Sequence, residues 1–473
     1  MGLQAPATDR ERTLGEWDFF LLWAGAAISL SEIWAGGLLA SFGVVIGLGI
    51  ILLGHAIGNT PMALSGLIGS RHGVPAIVST RGALGNRGSS LPAILNIVQL
   101  IGWTAVMLWI GGQAAAGLAG GTASARGWIL ALGVLTTLWA LAGTRAWRIL
   151  QKTGVVLLLV LSAAMTVLAL RTYGWRELLE IKPAPDMPFM MGLDLVIAMP
   201  ISWMPLVSDY TRYSKRPGRG LRGTWWGYFL ISAWMYAVGL IVAVATRSDS
   251  PETMLLQLMG AHRFLLPAVL IVLLSTATTT FLDIYSNAVS AQSLFPRLGS
   301  RPAVLTAGLL GTLLALGFDA SQYESFLLFI GAAFCPLFGV VLTDYFILKR
   351  GHYDAADLFQ RGRYWYTGGF NIRALLAWAV GFALFQLCAK TSFVGGHPSP
   401  RCSAQRFSIG LFPSQGAMTH EQAGDRNHRA GGGESAPHPG CPPTGPQHHQ
   451  LRRDEFYRER APFRRRFAGH GPR

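Results

Sequence analysis

One glutamate, Glu32, stands about a dozen residues into an apolar run that opens near Phe19. A carboxylate at that depth in a bilayer costs a few kcal/mol, so it must face a cavity or a partner. Such a group can carry a proton, accept a ligand N–H, or bond the backbone of an adjoining interrupted helix. Asp283, in a later apolar run, invites the same three readings. Asp209 and Asp344 sit where helices should end and read as structural. The run Ser275-Thr276-Ala277-Thr278-Thr279-Thr280 offers hydroxyls beside backbone carbonyls, a weak oxygen cage of the kind that holds Na⁺. The bland alternative is that each hydroxyl bonds the carbonyl one turn back on its own helix. Trp103 and Trp203 lie inside apolar runs, not at their ends, where interfacial tryptophans gather. Two indoles can sandwich a flat heteroaromatic ring, or can simply pack.

These residues need helices to carry them, and composition says which kind. Of 473 residues 51% are hydrophobic and 13% charged, about half the charge of a soluble domain. Apolar runs long enough to span a core about 30 Å thick begin near Phe19, Val44, Leu91, Trp128 and Val155. A second set begins near Gly192, Trp225, Leu265, Ala303 and Ser325, and an eleventh covers about Ile372–Cys388. A tight turn near Ser41–Gly43 must separate the first two. The chain therefore reads as an all-α polytopic membrane protein, with the transporter domain at 18–389.

Two spans look interrupted. In the first, small and polar residues break Gly25-Ala26-Ala27-Ile28-Ser29-Leu30-Ser31-Glu32-Ile33-Trp34-Ala35-Gly36-Gly37; in the sixth, Pro200 and Pro205 break Ala198-Met199-Pro200-Ile201-Ser202-Trp203-Met204-Pro205. Non-helical backbone at membrane depth is tolerated only inside protein or beside water. A matched pair of broken helices in two sets of five marks a midplane binding site in an inverted-repeat transporter, whereas unmatched kinks would mean nothing more than packing.

Loop charges orient the chain. With residues 1–17 cytoplasmic, the internal loops carry Arg71, Arg81 and Arg87; Arg145, Arg148 and Lys152; Arg212, Lys215, Arg216, Arg219 and Arg222; Arg297 and Arg301; and Lys349, Arg350, Arg361 and Arg363. The external loops are near neutral, acidic or mixed, as the bias of Lys and Arg toward the cytoplasm requires. The same bias accounts for the net charge of +15 without nucleic acid. Residues 1–17 lack the order of a signal peptide. Cys335, Cys388, Cys402 and Cys441 show neither disulfide nor zinc spacing.

After about Lys390 the chain turns rich in Pro, Gly, His and Arg, and reads as a disordered basic tail, 390–473. Seven arginines from Arg452 to Arg466 would lie outside after an odd number of spans, against the charge bias. A re-entrant eleventh run would keep the tail inside. A shifted reading frame near codon 390 would instead explain the composition, and then another frame should encode an apolar run of roughly 20 residues.

The chain resembles the nucleobase:cation symporter-1 family, and within it the CytX-like branch of hydroxymethylpyrimidine transporters. The stretches that carry the likeness are the first span with Gly36-Gly37, Arg81-Gly82-Ala83-Leu84-Gly85, Ile101-Gly102-Trp103, Ser208-Asp209-Tyr210-Thr211-Arg212-Tyr213, Asp344-Tyr345-Phe346 and Arg363-Tyr364-Trp365-Tyr366-Thr367-Gly368-Gly369-Phe370-Asn371. The resemblance implies a LeuT-like inverted five-plus-five helix repeat with alternating access. It implies that Trp103 and Trp203 stack on the ligand ring, with Ser29 and Ser202 as polar contacts. Gly25 and Ile28 then resemble carbonyl donors of a cation site, and Thr278 and Thr279 its hydroxyl ligands; a register using Ser275 and Thr276 is the alternative. Met107 stands where the family often has Gln, and the stretch ending in Asp283 replaces a frequent Asn, which moves ligand recognition toward Glu32 and Asp283.

The expected function is symport of a pyrimidine such as hydroxymethylpyrimidine, with Na⁺ or H⁺ as coupling ion and no other cofactor, across a bacterial inner membrane. Cytosine or another nucleobase is the near alternative. A membrane-embedded enzyme would need a convergent His or Asp cluster, which the sequence lacks, and a channel would reveal itself by unitary currents.

Overall fold

The computed structural model describes residues 6–119, 124–142, most of 155–171, 174–247 and 265–391, all within the unit Met1–Ser403. The basic loop with Arg145, Arg148 and Lys152, and the expectations for the tail beyond 391, lie outside the described residues. Every long element among the described residues is helical. The first span is two helices, α1 (Glu16–Ala27) and α2 (Leu30–Gly37), bent by 60° at Ile28-Ser29. A short turn at Ala40–Phe42 and Gly43, at φ +71°, lead into α3 (Gly43–His72). Next come α4 (Ser90–Leu118), α5 (Ala125–Ala142) and a second interrupted span, α6 (Phe189–Ile201) and α7 (Met204–Thr211). Then follow α8 (Pro217–Thr246), α9 (Leu265–Leu294), α10 (Ser300–Leu316), α11 (Ser321–Leu342) and α12 (Ile372–Thr391).

Among the described residues, seven segments are long and apolar enough to cross a membrane when the bent pair counts as one. The sequence expectation was eleven; α10 and α12 contribute apolar helices of 17 and about 17 residues, Ser300–Leu316 and Ile372–Cys388, below that length. The helix expected from Trp225 begins eight residues earlier, because Pro217 at its first position suits a helix start and lacks only an N–H that would be unpaired anyway.

The two interruptions are unequal. Ser29 is fully extended at the first, and its side chain caps α2 by accepting from the Glu32 N–H at 3.3 Å. The second is a two-residue turn at Ser202-Trp203 within a segment that counts as a single span, Phe189–Thr211. Pro205, at the start of α7, removes an N–H without forcing extended backbone.

Close packing then brings α2 onto α8. A Cβ on Gly36 would lie 2.0 Å from the Tyr236 carbonyl oxygen, and one on Gly239 would lie 1.8 Å from that of Ile33. Between membrane helices, where lipid is as apolar as any side chain, such small residues let backbones approach. This contact sets the height of Glu32 against Tyr228 and Ser232.

The motif stretches away from the broken helices clasp one another. Tyr366 donates to Gly82 O at 2.7 Å, and Asn371 donates its backbone N–H to Leu84 O at 2.8 Å and its amide to Ala83 O at 2.7 Å. Gly82 packs face-on against the Tyr353 ring, whose hydroxyl donates to Asp344 at 2.7 Å. Burial, and the Asp344 carboxylate beside it, push the Tyr353 hydroxyl well above its ordinary value. Asp209 accepts from the Ala76 N–H at 2.9 Å, so both acids expected to be structural have partners within the protein.

Because α2 meets α8 backbone to backbone, Gly36→Val should destabilise the fold by about 1–3 kcal/mol, the cost of overpacking. A thermal melt followed by size-exclusion fluorescence checks this. An unchanged melting temperature would mean that the close contact is not maintained.

Candidate substrate and cation site

Of the sequence-derived residues, Ile28 and Ser29 form the first interruption and Ser202 and Trp203 the second. Ser29, Glu32, Ser202, Trp203, Trp103, Met107 and Asp283 are all buried. At the first break the Ile28 carbonyl, freed from helix pairing, accepts from Ser275 Oγ at 3.1 Å. Thr278 donates to Leu274 O and Ser275 O, the back-bonding pattern, while Thr279 Oγ1 has no partner among the described residues. The structure thus brings Ile28 against the eighth-span hydroxyls through Ser275. Gly25 faces Val155, whose methyl leaves no room for a Cβ.

At the second break Ser202 Oγ donates to Met199 O at 2.6 Å, and the Ser202 carbonyl accepts from Gln99 Nε2 at 2.7 Å. Gln99 lies one turn before Trp103 on α4, so it ties the helix of one tryptophan to the break that carries the other. The two indoles have no mutual ring contact among the described residues. Trp103 packs edge-on against Phe326 at 5.2 Å and Tyr323 at 6.3 Å. Trp203 packs edge-on against Trp23 at 5.5 Å, and its N–H donates to Tyr228 Oη at 2.9 Å.

α4 and α9 run antiparallel with a register that side chains pin. Asn96 donates to Ser290, Asn287 donates to Ile97 O, and Gly111 lies against Thr276. That register puts Asp283 level with Trp103 and Thr279 level with Met107. Among the described residues, Gln99 Oε1, Trp103 Nε1 and Asp283 Oδ2 are enclosed polar atoms without a partner.

Glu32 is placed differently from its neighbours. Its carboxylate turns to α8, where Tyr228 Oη donates to Oε1 at 2.6 Å and Ser232 Oγ lies 2.7 Å from Oε2. Ser232 in turn meets His55 Nε2 at 2.6 Å, and His55 Nδ1 meets Ile51 O at 2.8 Å. Both oxygens therefore have protein partners, through residues that sequence reasoning passed over. The rule that singled out Glu32 applies equally to His55, a lone histidine midway along the apolar run of α3. The i, i+4 pair Tyr228 and Ser232 on α8 carried a weaker signal of the same kind. Gln99 had no signal beyond its place one turn from Trp103.

Two broken spans meeting at a buried polar centre define a secondary transporter that spans the membrane several times. Over residues 6–401 the chain matches the permease family for cytosine/purines, uracil, thiamine and allantoin. It belongs to that family, the nucleobase:cation symporter-1 family, and is a transporter and not an enzyme. The hydantoin permease of Microbacterium maritypicum is 24% identical over 416 residues, 83% of this chain and 85% of that protein. The cytosine permease of Escherichia coli K12 is 25% identical over 370 residues, 76% of this chain and 83% of that protein. Mhp1, a nucleobase-cation-symport-1 family transporter in a closed conformation with bromovinylhydantoin bound, superposes with a TM-score of 0.74 at 23% identity, over 83% of this chain and 91% of Mhp1. MhsT, in complex with L-phenylalanine, superposes with a TM-score of 0.52 at 18% identity, over 81% of this chain and 99% of MhsT. The fold is the LeuT-like inverted repeat, with α1–α2 and α6–α7 as the matched broken spans.

Tyr228→Phe would strand both the Glu32 Oε1 atom and the Trp203 N–H in a buried place. The expected loss of stability is about 1–3 kcal/mol per stranded group, read as a lowered melting temperature. A variant as stable as the parent would show that neither bond persists in the membrane.

Proposed function

We propose that this protein imports a small planar nitrogen heterocycle with a cation, by alternating access, and that the substrate is a pyrimidine such as hydroxymethylpyrimidine. The observation that carries this reading is the pair of enclosed, unpartnered oxygens Gln99 Oε1 on α4 and Asp283 Oδ2 on α9, with the unpartnered hydroxyls of Thr276, Thr279 and Thr280 on the same helix as Asp283. A buried polar atom left unpaired costs about 1–3 kcal/mol, so a ligand that pairs them is favoured. An aminopyrimidine suits the Gln99 and Asp283 oxygens, because its amino N–H groups can donate to both. Its flat faces suit stacking on Trp103 and Trp203, with Ser29, Ser202 and Met107 lining the ends. Cytosine or another nucleobase presents much the same edge, and the cytosine permease among the relatives supports that second reading.

For the coupling ion, Na⁺ or H⁺, the Gly25 and Ile28 carbonyls with Thr278, Thr279 and Ser275 offer oxygens of the right kind for Na⁺. The membrane is a bacterial plasma membrane, with residues 1–17 on the cytoplasmic side, as the loop charges support.

Uptake of radiolabelled hydroxymethylpyrimidine, cytosine, uracil and allantoin into proteoliposomes, under imposed Na⁺ or proton gradients, tests the reading. One of the pyrimidines should accumulate saturably. Trp103→Ala and Trp203→Ala should each weaken its binding by about 1–3 kcal/mol, the scale of lost base–aromatic stacking. Uptake with unchanged apparent affinity in both variants would refute the stacking site, and accumulation of allantoin alone would refute the pyrimidine assignment.

A further inference from the structure

A continuous hydrogen-bonded chain runs through the protein from Trp203 to Ile51, and its two ends are of fixed polarity. The Trp203 indole N–H can only donate, and it donates to Tyr228 Oη. Tyr228 therefore spends its single hydrogen on Glu32 Oε1. At the other end the Ile51 carbonyl can only accept, so His55 Nδ1 carries a hydrogen. Between these ends stand two contacts, Glu32 Oε2 to Ser232 Oγ at 2.7 Å and Ser232 Oγ to His55 Nε2 at 2.6 Å. Two hydrogen bonds need two hydrogens, and the serine hydroxyl supplies one. The second must sit on Glu32 or on His55 Nε2.

Both placements complete the chain. In one, a protonated Glu32 donates to Ser232, which donates to the neutral imidazole. In the other, an imidazolium donates to Ser232, which donates to the carboxylate. Conversion moves the Glu32 hydrogen to the serine oxygen while the serine hydrogen moves to Nε2. One O–H bond breaks and one forms at Ser232, and the net charge of the assembly stays zero. Without the extra proton the carboxylate stays charged, the ring stays neutral, and one of the two contacts becomes acceptor against acceptor. That state is costly for a carboxylate only 1% exposed.

The surroundings leave this proton to the pair. Among the described residues, the other ionisable groups turned toward Glu32 are the phenols of Tyr228 and Tyr236 from α8 and of Tyr323 from α11. Tyr323 donates to Ser31 O at 2.9 Å, and the Tyr236 ring packs edge-on against His55 at 4.9 Å. Among the described residues, Glu32 and His55 form no salt bridge with Lys or Arg.

We propose that Glu32, Ser232 and His55 together hold one exchangeable proton, and that this proton is co-transported with the substrate. The relay joins α2 to the long helices α3 and α8, and through Tyr228 it fixes the orientation of Trp203. Loss of the proton breaks one link of that tie, so protonation and the position of the broken helix are coupled in the sense that each state binds the proton with different affinity. The coupling part rests on the transport reading above; the proton-holding part does not.

Two measurements on the full-length protein in lipid separate them. Infrared difference spectra recorded across a pH titration should contain a protonated-carboxyl or imidazolium signal that vanishes in Glu32→Gln and in His55→Gln. Each amide offers Ser232 an N–H without a titratable proton, so both variants should fold, as a thermal melt checks. A titration signal that survives in both folded variants would overturn the relay. Internal alkaline-to-acid shifts of trapped pyranine, with hydroxymethylpyrimidine and cytosine as probes, should accompany uptake in the parent and be lost in both variants. Uptake driven by Na⁺ with no proton movement would overturn the co-transport role. Failure of every probe to enter, with the infrared signal intact, would sink the substrate assignment and support the relay as a proton site.

Discussion

A helix interrupted at membrane depth leaves carbonyls and N–H groups that lipid cannot satisfy, and most of the polar architecture here answers that demand. The break at Ile28-Ser29 is closed by Ser275 on the Ile28 carbonyl and by the Ser29 side chain on α2. The turn at Ser202-Trp203 is closed by Gln99 on the Ser202 carbonyl. Each repair recruits a helix from elsewhere in the chain, α9 in one case and α4 in the other. The repairs therefore also position the candidate site, because the helices that satisfy the breaks are the ones that carry Trp103, Thr279 and Asp283.

Glycine packing supplies the second half of the design. Gly36 and Gly239 allow α2 and α8 to touch through their backbones, which buries Glu32 and delivers it to Tyr228 and Ser232. A buried carboxyl group with two hydrogen-bond partners is specific in position where a hydrophobic contact would slide. Trp203 inherits that precision through its N–H bond to Tyr228. The remaining motif glycines act away from the site: Gly82 and Gly85 let the segment 81–85 lie flat against 353–371, a clasp in which Asn371 alone makes two hydrogen bonds to the segment.

Much was legible before any coordinates. Apolar run length, with charge confined to gaps, established a polytopic helical membrane protein, because the hydrocarbon core imposes length and excludes charge residue by residue. Prolines and small polar residues marked the stretches Gly25–Gly37 and Ala198–Pro205 in which both interruptions fall, since a missing N–H or a small polar residue is a local property. The isolated carboxylates Glu32 and Asp283 were recognisable as requiring partners for the same reason, as was the hydroxyl run at 275–280.

Which partners they found was decided only by the tertiary structure. Glu32 reaches residues roughly 200 positions away, and nothing in local spacing distinguishes Tyr228 from Tyr236 or from Tyr323 as the donor. The close approach at Gly36 and Gly239 sets that choice. Likewise Asp283 comes level with Trp103 through a register pinned at Asn96, Ile97 and Gly111, contacts between segments that share no local pattern. Sequence determined that a charge must be buried and answered, because desolvation is a property of one residue in its own helix; only the packed helices decided the answer, because a hydrogen bond depends on the distance and direction between two.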